Sequence, residues 1–176
     1  MGMLIAKFLN AETMSGAKKI YLSDDDADDR SLFKTAFEQV CPEHSLTMFE
    51  DNDVLVNNIK LNSGMPDIIF IDLNMPQLNG LECLRILKEL PQLKEVPVVI
   101  YSTIQIPFFI EEVYELGAAF FIKKPYEFYQ LTHLIKYVAD MEWDTKIPTP
   151  FDEFVVSHNS KKKADVIFTT AFQTNN

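Results

Sequence analysis

The apolar run Ile68-Ile69-Phe70-Ile71 leads straight into a carboxylate at Asp72, and the chain then turns through Pro76 to Gly80. A run this short and rich in β-branched residues reads as a strand buried on both faces, as in a parallel sheet. Asp72 then stands at the carboxyl end of that strand, where open α/β sheets bind their ligands. A carboxylate is costly to bury there unless something pairs with it or coordinates it. Taken alone, Asp72 reads equally well as a residue that only starts the turn.

Three more strand ends carry polar chemistry. Lys19-Ile20-Tyr21-Leu22-Ser23 runs into Asp24, Asp25, Asp26, Asp28 and Asp29. So many acids repel one another unless a cation or solvent relieves them. Asp28 and Asp29 suit the first turn of a helix, where the backbone dipole favours negative charge. Asp24 and Asp25 lie too early for that, at the strand end. Oxygen ligands are what Mg²⁺ prefers, and one or two carboxylates usually suffice for it, so Asp24, Asp25 and Asp72 form a candidate Mg²⁺ pocket. Val96-Pro97-Val98-Val99-Ile100-Tyr101 ends in the hydroxyls of Ser102 and Thr103, and Ala118-Ala119-Phe120-Phe121-Ile122-Lys123 ends at Lys124-Pro125. Singly, these are a helix cap and a solvated lysine. Together they place acids, an acid, a hydroxyl and a cation along one edge of a sheet.

This set of motifs resembles the receiver domain of two-component response regulators. The resemblance rests on the pair Asp24-Asp25, on Asp72-Leu73-Asn74-Met75-Pro76 with Gly80 closing the loop, on Ser102, and on Lys124-Pro125, and it runs from about 18 to about 140. It implies a flavodoxin-like (βα)5 fold, a doubly wound parallel sheet of strand order 2-1-3-4-5, in which the first and third strands are neighbours. It also implies that Asp72 is the phosphoacceptor, with the backbone carbonyl of Asn74 joining Asp24, Asp25 and Asp72 around Mg²⁺. Lys124 and Ser102 would then contact phosphoryl oxygens. Phe121 stands at the aromatic switch position of the fifth strand, which in receivers moves together with the hydroxyl residue and remodels the surface of helix four, strand five and helix five. The implied partners are a sensor histidine kinase or histidine phosphotransfer protein, read by the face of helix one around Asp29, Arg30, Lys34 and Glu38, and a downstream target protein. A homodimer through helices four and five is a further expectation.

Three features depart from the usual pattern. Ser102 replaces the commoner threonine but keeps the hydroxyl. Ile104, Ile106, Phe108 and Phe109 make the following loop more apolar than solvation requires, either as core of the fourth helix or as a contact patch. Phe121 lacks the phenol often found at its position.

The alternation of patterns predicts strands over 19–23, 45–49, 67–71, 97–101 and 119–122 and helices over 28–40, 53–62, 80–90, 107–116 and 126–141. Asp51 or Asp53 is placed to cap the second helix, Pro91 to stop the third, and Gly117 to end the fourth. Residues 1–17 read as an N-terminal extension with an alternative start at Met14, residues 18–141 as the receiver domain, and residues 142–176 as a tail. In the tail 142–160 is expected to pack partly on the domain, Val166-Ile167-Phe168-Thr169-Thr170 has strand-like content, and the last residues are expected to be disordered. With no output domain after it, the chain reads as a stand-alone regulator.

A net charge of −10, from 26 acidic against 16 basic residues, argues against nucleic acid, whose phosphates are bound mainly by Lys and Arg. The run Lys161-Lys162-Lys163 is too short to reverse that. Cys41 and Cys83 are far apart, in no CxxC pair, and read as free thiols of a reducing cytoplasm. No apolar stretch approaches a membrane span, and the N-terminus lacks a signal-peptide pattern, so a cytoplasmic protein without membrane contact is expected. Three other readings are weaker. A Mg²⁺-dependent aspartyl-phosphate phosphatase of the haloacid dehalogenase type would place its nucleophile at the first strand in an Asp-x-Asp-x-Thr pattern, which Asp24-Asp25-Asp26-Ala27-Asp28 does not complete. An FMN carrier would need a hydroxyl- or glycine-rich loop where the acids stand. A degenerate receiver serving as a scaffold would lack one of the acids, and none is missing.

Overall fold

The computed structural model describes residues 16–61, 64–143 and 149–156. Strands and helices alternate as β1 (Lys19–Ser23), α1 (Ala27–Val40), β2 (Ser45–Phe49), α2 (Asn52–Lys60), β3 (Ile68–Ile71), α3 (Gly80–Glu89), β4 (Val98–Ser102), α4 (Pro107–Glu115), β5 (Phe120–Lys123) and α5 (Phe128–Asp140). A short helix α6 (Phe151–Phe154) and a two-residue strand β6 (Val155–Val156) follow. All strand pairs are parallel, in the order β2-β1-β3-β4-β5-β6. The predicted order 2-1-3-4-5 is therefore present, with β6 added beside β5.

The sheet is covered on both faces, which is why its central strands read as unbroken apolar runs. All four residues of β3 and all five of β4 are buried. Successive side chains alternate between two cores. Tyr21, Ile69, Ile71, Ile100 and Phe121 join Leu55, Ile59, Leu84, Leu87 and Val113 from α2, α3 and α4. Ile20, Leu22, Phe70, Val99 and Tyr101 join Phe33, Phe37, Leu131, Leu134 and Ile135 from α1 and α5. Phe33 meets Phe70 and Tyr101 edge-on, with centroids 5.2 and 5.5 Å apart, a favoured aromatic arrangement. Lys18 joins the two ends of this unit, its ammonium donating to the carbonyls of Ala139 at 2.6 Å and Met141 at 3.0 Å.

The helix boundaries follow local chemistry. Asp51 caps α2 by accepting from the Val54 N–H at 2.6 Å, so Asp51 takes the role and Asp53 sits in the first turn. Asn79 caps α3, and Pro91 opens a single 3-10 turn, Pro91–Leu93, directly after it. Gly117 has φ of 84°, a left-handed conformation that glycine adopts without a Cβ penalty. Helix α5 starts at Phe128 rather than 126, and Tyr126 is left almost fully exposed.

The tail departs furthest from expectation. Partial packing was predicted, but not a sixth strand. Val155 and Val156 pair with Phe121 and Ile122, covering the edge that β5 would otherwise expose. Phe154 is fully buried, and Phe151 and Phe154 pack on Tyr114 of α4 with centroids 4.7 and 5.1 Å away. Trp143 packs on Phe120, centroids 5.3 Å apart. The segment Val166–Thr170 and the chain end lie outside the described residues. Replacing Phe154 by Ala is expected to lower stability by about 3 kcal/mol, the usual cost of emptying a buried phenylalanine site. A urea titration reads this directly, and an unchanged midpoint would mean that the tail does not hold the β5 edge in solution.

Candidate functional site

Parallel register brings the polar strand ends to one edge. Ser23 lies opposite Ile71, and the Asp72 N–H donates to the Ser23 carbonyl at 3.0 Å. Asp24, one residue past the same register point, donates its N–H to the Phe49 carbonyl at 3.1 Å. On the other side Ser102 lies opposite Lys123, and the Lys124 N–H reaches the Ser102 carbonyl at 3.0 Å. Asp24, Asp72 and Lys124 thus converge because each is the first residue after a paired segment.

Lys124 is the centre of the cluster. Its Nζ donates to Asp24 Oδ2 at 2.8 Å, Asp29 Oδ2 at 2.7 Å and Asp72 Oδ2 at 2.7 Å. It also lies 5.4 Å from the centroid of the Tyr101 ring. Burial by itself would lower the lysine pKa, but the hydrogen bonds it donates to Asp24, Asp29 and Asp72 outweigh it and hold the ammonium well above the ordinary lysine range. The second oxygens of the buried acids accept from backbone. Asp24 Oδ1 takes the Asp26 N–H and Asp72 Oδ1 the Asn74 N–H, both at 3.0 Å. Even so, Asp24 is raised from its ordinary value of 3.8, because desolvation exceeds the help from Lys124.

Above this cluster opens a cleft of about 560 Å³ whose lining includes Asp25, Asp29, Asp72, Asn74, Thr103 and Lys124. Carboxylate oxygens of Asp24, Asp25 and Asp72 lie within 4.8 Å of one another. This all-oxygen donor set fits a hard divalent cation. Asp25 is exposed to the cleft while Asp24 lies buried beneath it. Ser102 is buried at the end of β4, with Oγ accepting from the Ile104 N–H at 3.3 Å, while the neighbouring Thr103 lines the cleft. Phe121 is fully buried.

The loop after β3 is shaped by Gly80. A Cβ there would stand 2.3 Å from the Asp72 carbonyl oxygen and 2.6 Å from the Leu73 Cα, so any side chain would push the loop away. Buried Asn52 ties the same loop to α2, donating to the Leu78 carbonyl at 2.9 Å. A second grouping, Glu43, His44 and Asp140, is built differently. His44 Nδ1 accepts the Lys18 N–H at 3.2 Å. Lys136 pairs with Glu43 and Asp140 at 3.8 and 2.8 Å. That grouping is an ion-paired joint between the loop after α1 and helix α5.

Asp29 lies in the acidic first turn of α1, as its place in the sequence predicts, and its half-exposed side chain also reaches back to Lys124, a contact that nothing in the sequence signals. Helical Cα–Cβ bonds tilt toward the N-terminus, so a first-turn acid can point over the strand ends. Asp26 accepts from the Asp28 and Asp29 N–H groups as the cap of α1, which lowers its pKa.

The family model of the response regulator receiver domain matches residues 20–136. The chain belongs to this family. Among curated relatives, a two-component response regulator of Arabidopsis thaliana, ARR17, is 41% identical over 76 residues, covering 43% of this chain and 46% of the relative. Response regulator Rcp1 of Synechocystis sp. is 31% identical over 91 residues, covering 49% of this chain and 62% of Rcp1. The alignments with these relatives thus span about half to three fifths of the relatives' own length. Among solved structures, the phosphorylated cyanobacterial phytochrome response regulator RcpA superposes with a TM-score of 0.67 at 28% identity, covering 76% of this chain and all of RcpA. The Mn²⁺-bound form of Rcp1 superposes with a TM-score of 0.65 at 26% identity, covering 73% and 96% of the two chains. The receiver is a signalling domain, and among the described residues no helix is long and apolar enough to cross a membrane.

The charge balance of this receiver has a measurable consequence. Because burial raises the folded pKa of Asp24 above 3.8, its contribution to stability is full below that pH and is lost as pH rises through the folded value. Asp24→Asn removes this loss. In chelator-treated buffer the stability gap between variant and wild type is therefore expected to move in the variant's favour as pH rises from below 3.8 to 7. Denaturant midpoints at the two pH values check this, and a gap that stays constant or moves toward wild type would contradict it.

Proposed function

We propose that this chain is a phosphoacceptor of a two-component phosphorelay, with Asp72 as the residue that receives the phosphoryl group. The observation that carries this reading is the Lys124 ammonium at 2.7 Å from Asp72 Oδ2, at the floor of an acidic cleft. A carboxylate can act as a nucleophile and form an aspartyl phosphate. The Asp72 oxygen forms the new P–O bond, the P–N bond of a phosphohistidine breaks, and the imidazole nitrogen keeps that electron pair and takes a proton from water. Such transfer is mainly a matter of placing positive charge around the phosphoryl oxygens.

Mg²⁺ would be held by Asp24, Asp25, Asp72 and the Asn74 carbonyl, and when bound it supplies neutralising charge beside the phosphoryl oxygens. The Asp24–Asp25–Asp72 grouping supports that ligand set. Lys124 offers a compact point charge. Ser102 gives up the Ile104 N–H and turns its hydroxyl toward a phosphoryl oxygen. The site serves the chain's own phosphorylation and dephosphorylation and not catalysis on other substrates. The donor is a sensor histidine kinase or a histidine phosphotransfer protein in the cytoplasm.

The response is a population shift between two states, in which Phe121 changes rotamer with Ser102 and the α4–β5–α5 surface is read by a target protein. Ile106 and Phe108 stay exposed, Phe108 at 66%, while Ile104 and Phe109 are half-buried. That split supports a contact patch at the start of α4, for a target or for a second copy through α4 and α5. We take residues 18–141 as the receiver unit, with residues 1–17 and 142–176 as its extensions.

The test is chemical. Wild-type protein incubated with Mg²⁺ and acetyl phosphate is expected to gain one phosphoryl group by intact mass, and Asp72→Asn to gain none. An adduct unchanged in that variant would remove Asp72 from the role.

A further inference from the structure

The ammonium of Lys124 has three N–H bonds, and all three are occupied, by Asp24, Asp29 and Asp72. A phosphoryl oxygen arriving beside Asp72 therefore has to displace one of these partners. Asp24 is a poor candidate, because its side chain is 1% exposed and a buried carboxylate stripped of its counter-charge is strongly destabilising. Asp72 is itself the group that gains the phosphoryl. Asp29 differs from both. Its side chain is 39% exposed, so water can replace the lysine, and it sits in the first turn of α1, where the backbone dipole favours a free carboxylate.

We propose that Asp29 is a positioning residue of the phosphoryl-accepting site: its carboxylate holds, on Lys124, the place that a phosphoryl oxygen takes, and it leaves for solvent when that oxygen arrives. The inference rests on the phosphoacceptor reading of Asp72. Asp29 acts through Lys124 and touches no reacting atom. In the resting protein it saturates the ammonium and adds a negative charge at the mouth of the cleft. Both effects favour the unphosphorylated state and slow the entry of an anionic donor. Asp28, on the same turn, brings the same charge and lacks the described hydrogen bond to Lys124, so it serves as a charge-matched control.

The experiment follows phosphoryl uptake from acetyl phosphate with saturating Mg²⁺, and then adduct loss after the donor is removed, both by intact mass. In Asp29→Asn the second-order uptake rate is expected to rise about three- to tenfold, the scale of one hydrogen bond to a partly solvated group. The loss rate should not increase. Asp28→Asn is expected to gain less than about twofold, as suits a solvent-screened charge. Asp29→Glu, which returns the carboxylate, should bring uptake back toward wild type. Uptake in Asp29→Asn that is unchanged or slower overturns the proposal, and so does an equal gain in Asp28→Asn. A wild-type protein that takes no phosphoryl group removes the phosphoacceptor reading itself, and the Asp29 inference with it.

Discussion

One lysine ammonium holds the carboxyl edge of this sheet together. Lys124 collects Asp24 from the end of β1, Asp72 from the end of β3 and Asp29 from α1, each within 2.8 Å. Without that cation two buried carboxylates would face each other in a medium that screens them poorly. With it, the edge is bound and still poised, because the half-exposed partner, Asp29, can be exchanged for another anion. The same contacts that stabilise this edge are the ones that the proposed chemistry rearranges.

The rest of the fold serves this convergence. Two apolar cores, one on each face, fix the strands in register, and register alone decides that residues 24, 72 and 124 come together. The close approach at Gly80 and the Asn52 tether then set where the loop after β3 runs. At the far edge β6 closes β5, so the strand that carries Phe121 is paired on both sides. A target that reads this face would meet α4, α5 and the tail, not a bare strand edge.

Much of this was legible in the sequence because the signals were local. Short apolar runs marked β1, β3, β4 and β5, and the polar residue after each run marked the functional edge. Caps and stops at Asp51, Asn79, Pro91 and Gly117 are local chemistry as well, although Asn79 was not singled out. What escaped depended on tertiary contacts. Two valines make no strand pattern, and β6 exists because Phe121 and Ile122 offer a partner edge and Tyr114 a platform. Asp29 looked like an ordinary first-turn acid, since nothing local indicates that a lysine 95 residues away would meet it.

The most direct test of the lysine-centred arrangement is ¹⁵N NMR of the lysine ammonium groups in the metal-free protein near neutral pH. Lys124 should give a single resonance with slow proton exchange, and couplings across hydrogen bonds to the carboxylates of Asp24, Asp29 and Asp72. An ammonium at position 124 that exchanges as fast as the exposed lysines, with no such couplings, would contradict the account.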